Sequence, residues 1–122
     1  MDKFKILIIE DEHDVRELYR DLLTDNGFEV LEAGDGISGL RMAKENLWDL
    51  MLLDIMLPQV DGLRILEEIR TKFDKPVLII SNLNNDDIIT KSIDLGSNGY
   101  VIKSELNPAQ FIVEVKKYLN IL

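Results

Sequence analysis

At 122 residues, with 46% apolar and 30% charged side chains, the chain has the size and composition of one soluble globular domain, expected to span residues 1–122. It has no cysteine, which excludes disulfides and cysteine-ligated metal sites, and no apolar run approaches the roughly 18 residues that cross a bilayer. A net charge of −9 opposes direct nucleic-acid binding and suits solubility, a bound cation or a basic partner surface. The N-terminus leads into an apolar segment without a signal-peptide pattern, so a cytoplasmic location with no membrane insertion is expected.

In chain order, Ile6-Leu7-Ile8-Ile9 is a short β-branched run that predicts a buried strand. Val15, Leu18, Tyr19, Leu22 and Leu23 then recur at helical spacing, with Gly27 placed to end the helix. Glu29–Ala33 mixes polar and apolar residues and predicts an edge strand. Ile37, Leu40, Ala43 and Leu47 make a second helical stripe, and Leu50-Met51-Leu52-Leu53 a third strand. Leu63, Leu66, Ile69 and Phe73 form a third stripe, followed by the apolar run Val77-Leu78-Ile79-Ile80. Ile88, Ile89 and Ile93 predict a fourth helix ending near Gly96, and Tyr100-Val101-Ile102 a short fifth strand. Asn107-Pro108 suits the N-cap and first position of a last helix carrying Phe111, Ile112, Val115, Tyr118, Leu119 and Leu122.

Five strand–helix units predict an α/β fold, a flavodoxin-like doubly wound (βα)5 three-layer sandwich with parallel sheet order 2-1-3-4-5. The most apolar strands, the first, third and fourth, belong at its centre. Ligands of such sheets bind beyond the carboxyl ends of the strands. There the sequence places Glu10-Asp11-Glu12, Asp54, Ser81 and Lys103.

An acidic run before a helix is ordinarily a cap with favourable first-turn charge. Asp54 is different, because it closes a central apolar strand where an unpaired carboxylate is costly. Crowded carboxylates repel one another, and hard oxygen ligands of this kind suit Mg2+ or Mn2+. A carboxylate beside such an ion can attack phosphorus and form an acyl phosphate, with an ammonium and a hydroxyl neutralising the transferred oxygens. Asp11, Asp54, Ser81 and Lys103 make up that set.

The segments Ile6-Leu7-Ile8-Ile9-Glu10-Asp11, Leu53-Asp54-Ile55-Met56-Leu57-Pro58 with Asp61-Gly62, Ile80-Ser81, and Gly99-Tyr100-Val101-Ile102-Lys103 together resemble the receiver domain of two-component response regulators. The resemblance covers the whole chain and is similar to the chemotaxis-type single-domain regulators. It implies a phosphoprotein that accepts phosphoryl from a histidine kinase or phosphotransfer protein onto Asp54. Glu10 (through water), Asp11, Asp54 and the backbone carbonyl of Met56 would hold the metal. Ser81 and Lys103 would contact the phosphoryl group, and Ser81 and Tyr100 would act as the switch. A changed surface of fourth helix, fifth strand and fifth helix would then engage a protein partner, as a monomer or a phosphorylation-dependent dimer. Such a domain is not a turnover enzyme: it catalyses only its own phosphorylation and slow dephosphorylation.

The sequence also departs from the family pattern. Ser81 stands where threonine is commoner, and Asn82 where a small residue is usual. Ser104 replaces the proline that usually follows the lysine, so a cis peptide is not expected there. Asn98, Gly99, Gln110 and Glu114 depart from the DNA-binding subfamily's output face. Met56 and Leu83, both apolar, flank the site and are expected to shield an acyl phosphate from water. His13 reads as a helix-start residue rather than a ligand, and Trp48 as packing against a helix end. Two alternatives keep the same fold: an aspartyl-nucleophile phosphatase, which would want a second aspartate where Met56 stands, and a phosphorylation-independent interaction module. A flavin site would want a Gly/Ser/Thr-rich loop after the first strand, which the acidic run does not supply.

Overall fold

The structure is a computed structural model that describes residues 3–121. Its elements are β1 (Lys5–Ile9), α1 (His13–Asp25), β2 (Glu29–Ala33), α2 (Gly36–Glu45), β3 (Leu50–Leu53), α3 (Gly62–Arg70), β4 (Val77–Ser81), α4 (Asp86–Asp94), β5 (Gly99–Ile102), a 3-10 turn (Lys103–Glu105) and α5 (Pro108–Tyr118). The five strands are parallel and lie in the order β2-β1-β3-β4-β5, the flavodoxin-like topology expected from the alternating pattern.

Alternation along each central strand feeds two core layers. Leu7, Ile9, Met51, Leu53, Val77 and Ile79 face Ala43, Ile65, Leu66 and Ile69 of α2 and α3. Ile6, Ile8, Leu50, Leu52, Leu78 and Ile80 face Tyr19 and Leu23 of α1 and Phe111, Ile112 and Val115 of α5. Every residue of β3 and β4 is buried, whereas β2 and β5 are partly exposed, as edge strands are. Each fully buried aliphatic side chain contributes roughly 1.5–3 kcal/mol relative to exposure. Tyr19 stacks on Phe111 with ring centroids 4.4 Å apart, joining α1 to α5.

Helix starts are marked by side-chain caps. Asp35, Asp61, Asn85 and Asn107 accept hydrogen bonds from Ser38, Arg64, Ile88 and Gln110 N–H groups. Gln110 Oε1 in turn accepts the Asn107 N–H at 2.9 Å, which completes a capping box. Gly27 and Gly96 follow their helices with φ of +88° and +103°, the left-handed endings that glycine permits.

Some stripe positions differ from expectation. Asn46 ends α2 in the left-handed region, so Leu47 falls outside the helix and is exposed. Phe73 lies past the end of α3 yet still packs on the core. Leu18, Ile37 and Ile93 lie on the flanks of their stripes and face outward, because each helix meets the sheet along an arc narrower than its apolar face. Leu122 lies outside the described residues. Trp48 is fully buried, and its indole N–H donates to the Ala43 carbonyl at 2.9 Å, closing the end of α2. His13 sits exposed at the start of α1, 3.6 Å from both Asp14 and Glu17.

Candidate functional site

Parallel register carries the four polar strand ends to one edge. Ile9 is level with Leu53, Leu53 with Ile79, and Ser81 with Ile102. The residues at or just beyond these positions are Glu10, Asp54, Ser81 and Lys103. Of these, Asp54, Ser81 and Lys103 line an open cleft of about 450 Å³ together with Asp11, Met56, Asn82 and Leu83, and Glu10 reaches it through its pairing with Lys103.

Glu10, Asp54 and Ser81 are 2%, 6% and 1% exposed, a concentration of buried polarity at the centre of the sheet edge. The Lys103 ammonium lies 2.7 Å from Asp54 Oδ2 and pairs with Glu10 Oε1, with Glu12 further out at 3.6 Å. Asp54 Oδ1 accepts the Ile55 N–H at 2.7 Å, which fixes the carboxylate's orientation and leaves Oδ2 to the lysine. Glu10 Oε2 accepts the Glu12 N–H at 3.1 Å, and the Glu10 carbonyl accepts from Arg16 at 2.7 Å.

Burial pushes the Glu10 carboxyl up to about 7, against the opposing pull of Lys103 and the Glu12 N–H. Burial alone would lower Lys103, but its bonds to Asp54 and Glu10 outweigh it and hold the ammonium above its ordinary range. Carboxylate oxygens of Glu10, Asp11 and Asp54 lie within 4.8 Å of one another. One ammonium cannot balance three acids at that spacing, and an all-oxygen donor set open to the cleft fits a hard divalent cation.

The switch candidates are in contact through a loop. Ser81 Oγ accepts the Leu83 N–H at 3.2 Å, and Tyr100 donates its hydroxyl to the Leu83 carbonyl at 2.5 Å. Burial raises the Tyr100 phenol above its usual range. The side chain of Met56 is exposed at the cleft rim.

Glu10, Asp11, Asp54, Ser81 and Lys103, expected from the strand order to share one sheet edge, lie together there. The steric role of Gly62 and the contact between Asn82 and Ser104 emerge only from the structure. A Cβ on Gly62 would lie 2.1 Å from the Asp54 carbonyl oxygen, so this glycine lets α3 begin directly against the strand end. The Asp61-Gly62 pair, a cap followed by a residue without a side chain, was its signal. Asn98 and Gly99 also have local reasons: Asn98 Oδ1 accepts from Arg70 and from the Val77 N–H, and a Cβ on Gly99 would collide with the Tyr118 hydroxyl.

Comparison with known proteins agrees with this geometry. The response regulator receiver domain family matches residues 6–116. The chain is 37% identical over 97 residues to the uncharacterized transcriptional regulatory protein YcbL of Bacillus subtilis, covering 80% of this chain and 43% of that protein. It is 35% identical over 116 residues to the regulatory protein VanRc of Enterococcus gallinarum, covering 94% and 49%. The chain thus spans about half the length of the curated relatives it matches. Among solved structures, a two-component response regulator from Clostridium difficile superposes with a TM-score of 0.90 at 27% identity, covering 97% of both chains. The BeF3-activated N-terminal receiver domain of Klebsiella pneumoniae RstA gives 0.88 at 27% identity, covering 94% of this chain and 97% of that one. The chain belongs to the receiver domain family of two-component response regulators.

Proposed function

We propose that Asp54 accepts a phosphoryl group from a histidine kinase or phosphotransfer protein and that the resulting acyl phosphate switches the surface of α4, β5 and α5. The observation that carries this reading is Asp54 itself: a buried carboxylate, oriented by the Ile55 N–H, 2.7 Å from a lysine and open to an acidic cleft. A carboxylate oxygen of Asp54 attacks phosphorus, a P–O bond forms, and the bond from phosphorus to the donor nitrogen breaks. Lys103, already at the carboxylate, follows the negative charge onto the transferred oxygens. Mg2+ or Mn2+, held by Asp11, Asp54, the Met56 carbonyl and, through water, Glu10, would supply further neutralisation of the phosphoryl oxygens when bound.

Ser81 answers the new charge by turning its hydroxyl toward the phosphoryl group, which costs the bond from the Leu83 N–H. The 81–83 loop then moves, Tyr100 exchanges its bond to the Leu83 carbonyl for an inward position, and the α4–β5–α5 face changes its affinity for a protein partner. Thermodynamically this is a shift between two populations, driven by how much better the phosphoryl group binds one of them. Incubation with Mg2+ and phosphoramidate, followed by intact-mass spectrometry, tests the acceptor step. Wild type gains one hydroxylamine-labile phosphoryl group and Asp54→Asn gains none. Equal labelling of the two, or steady donor hydrolysis without an adduct, contradicts the reading.

A further inference from the structure

Two loops meet over the cleft, and one hydrogen bond joins them. The Ser104 N–H donates to Asn82 Oδ1 at 3.0 Å. Asn82 directly follows Ser81 at the end of β4, and Ser104 directly follows Lys103 in the 3-10 turn. The bond therefore ties the backbone bearing the cleft's hydroxyl to the backbone bearing its ammonium. Pairing between β4 and β5 ends at Ser81 and Ile102, so beyond that point the sheet no longer sets their separation. Asn82 and Ser104 are both exposed, so the bond does not serve to satisfy a buried polar group.

Both residues also depart from the family pattern. An alanine at 82 would offer no side-chain acceptor. A proline at 104 would offer no donor, and its ring carbon would stand where the hydrogen now points at Oδ1. The two departures are chemically one feature, a hydrogen-bonded clip in place of a proline.

We propose that Asn82 is a positioning residue for Lys103: by holding the peptide between Lys103 and Ser104, it keeps the ammonium over Asp54 for phosphoryl acceptance. The proposal rests on the reading of Asp54 as acceptor. A lysine side chain is long and flexible, so where its ammonium sits depends on where its backbone is held. Here the backbone enters a three-residue turn whose Ser104 and Glu105 are exposed, and the Asn82 side chain clasps it from the opposite loop.

The test follows acyl-phosphate formation by intact mass, with Mg2+ and phosphoramidate, in wild type, Asn82→Ala, Ser104→Pro, the double variant of these, Lys103→Ala, and Asn82→Ala combined with Lys103→Ala. Hydrogen exchange at the Ser104 amide is read alongside in wild type and Asn82→Ala. Asn82→Ala is expected to lose Ser104 protection and to slow phosphorylation roughly two- to tenfold, the range for one ordinary hydrogen bond. Ser104→Pro is expected to be slower still, because its ring meets Oδ1, and adding Asn82→Ala should restore part of the rate. In the Lys103→Ala background, Asn82→Ala should slow nothing further. The proposal is overturned if Asn82→Ala reacts at the wild-type rate, or if it slows the Lys103→Ala protein by the same factor as the wild type. A wild type that takes up no phosphoryl group would instead overturn the acceptor reading on which the proposal stands.

Discussion

At Lys103 and Glu10, burial and pairing oppose each other, and the balance can be measured. Lys103→Ala removes the ammonium bonded to Asp54 and should slow phosphorylation by phosphoramidate at least about tenfold, as loss of a charge-assisted contact to the transferred group implies. The Glu10 carboxyl lies near 7 in the folded protein against 4.5 unperturbed, so the folded state binds its proton more tightly than the unfolded state. Its contribution to stability is therefore fully present below about 4.5 and is lost as pH rises toward 7. Urea titrations in EDTA at pH 5 and pH 8 should show this loss, on the order of 2 kcal/mol, and Glu10→Gln should flatten it. A pH difference that survives the substitution unchanged would mean that another group is responsible. These residues were legible in the sequence because each one interrupts or ends an apolar run. Asn82 was legible only as an oddity: its partner Ser104 is 22 positions away on another loop, and no periodic pattern reports such a contact.

Where elements join, small residues and loop geometry decide how firmly the site is built. Gly62→Ala would drive a Cβ to 2.1 Å from the Asp54 carbonyl oxygen, and backbone cannot swing aside as a side-chain end can. A loss of roughly 2–4 kcal/mol is expected in denaturant unfolding; a variant of wild-type stability would show that α3 does not need this close approach. The loops after β3 and β4 present Met56 and Leu83 to the cleft. Replacing both with polar residues should shorten the acyl-phosphate lifetime, and an unchanged decay rate would refute a shielding role. Helix existence was readable from spacing and caps, whereas helix ends and outward flanks were not. Leu47 completes a helical stripe in sequence, yet the left-handed turn at Asn46 has already ended α2. Leu18 and Ile93 have helical spacing too, but spacing cannot say how wide an arc the sheet will cover.

For the whole molecule, hydrophobicity ranks the strands: fully apolar runs are central and mixed or short ones are edges, a placement that fits the observed order β2-β1-β3-β4-β5 without by itself ordering the central three. Among the described residues, no helix is long and apolar enough to cross a membrane. The same order concentrates negative charge at one sheet edge of a chain whose net charge is −9, which should make folding sensitive to divalent cations. Mg2+ at a hundredfold excess over its dissociation constant should stabilise the wild type by about 2.7 kcal/mol, and Asp11→Asn should lose most of that gain. Equal stabilisation of both proteins would place the ion elsewhere. Phosphoryl transfer to Asp54 alone has a direct chemical readout. Borohydride reduction converts an aspartyl phosphate to homoserine, and peptide sequencing by mass spectrometry after phosphoramidate treatment locates the converted residue. Homoserine is expected at position 54 only; conversion at position 11, or at none, would overturn the assignment of Asp54 as acceptor.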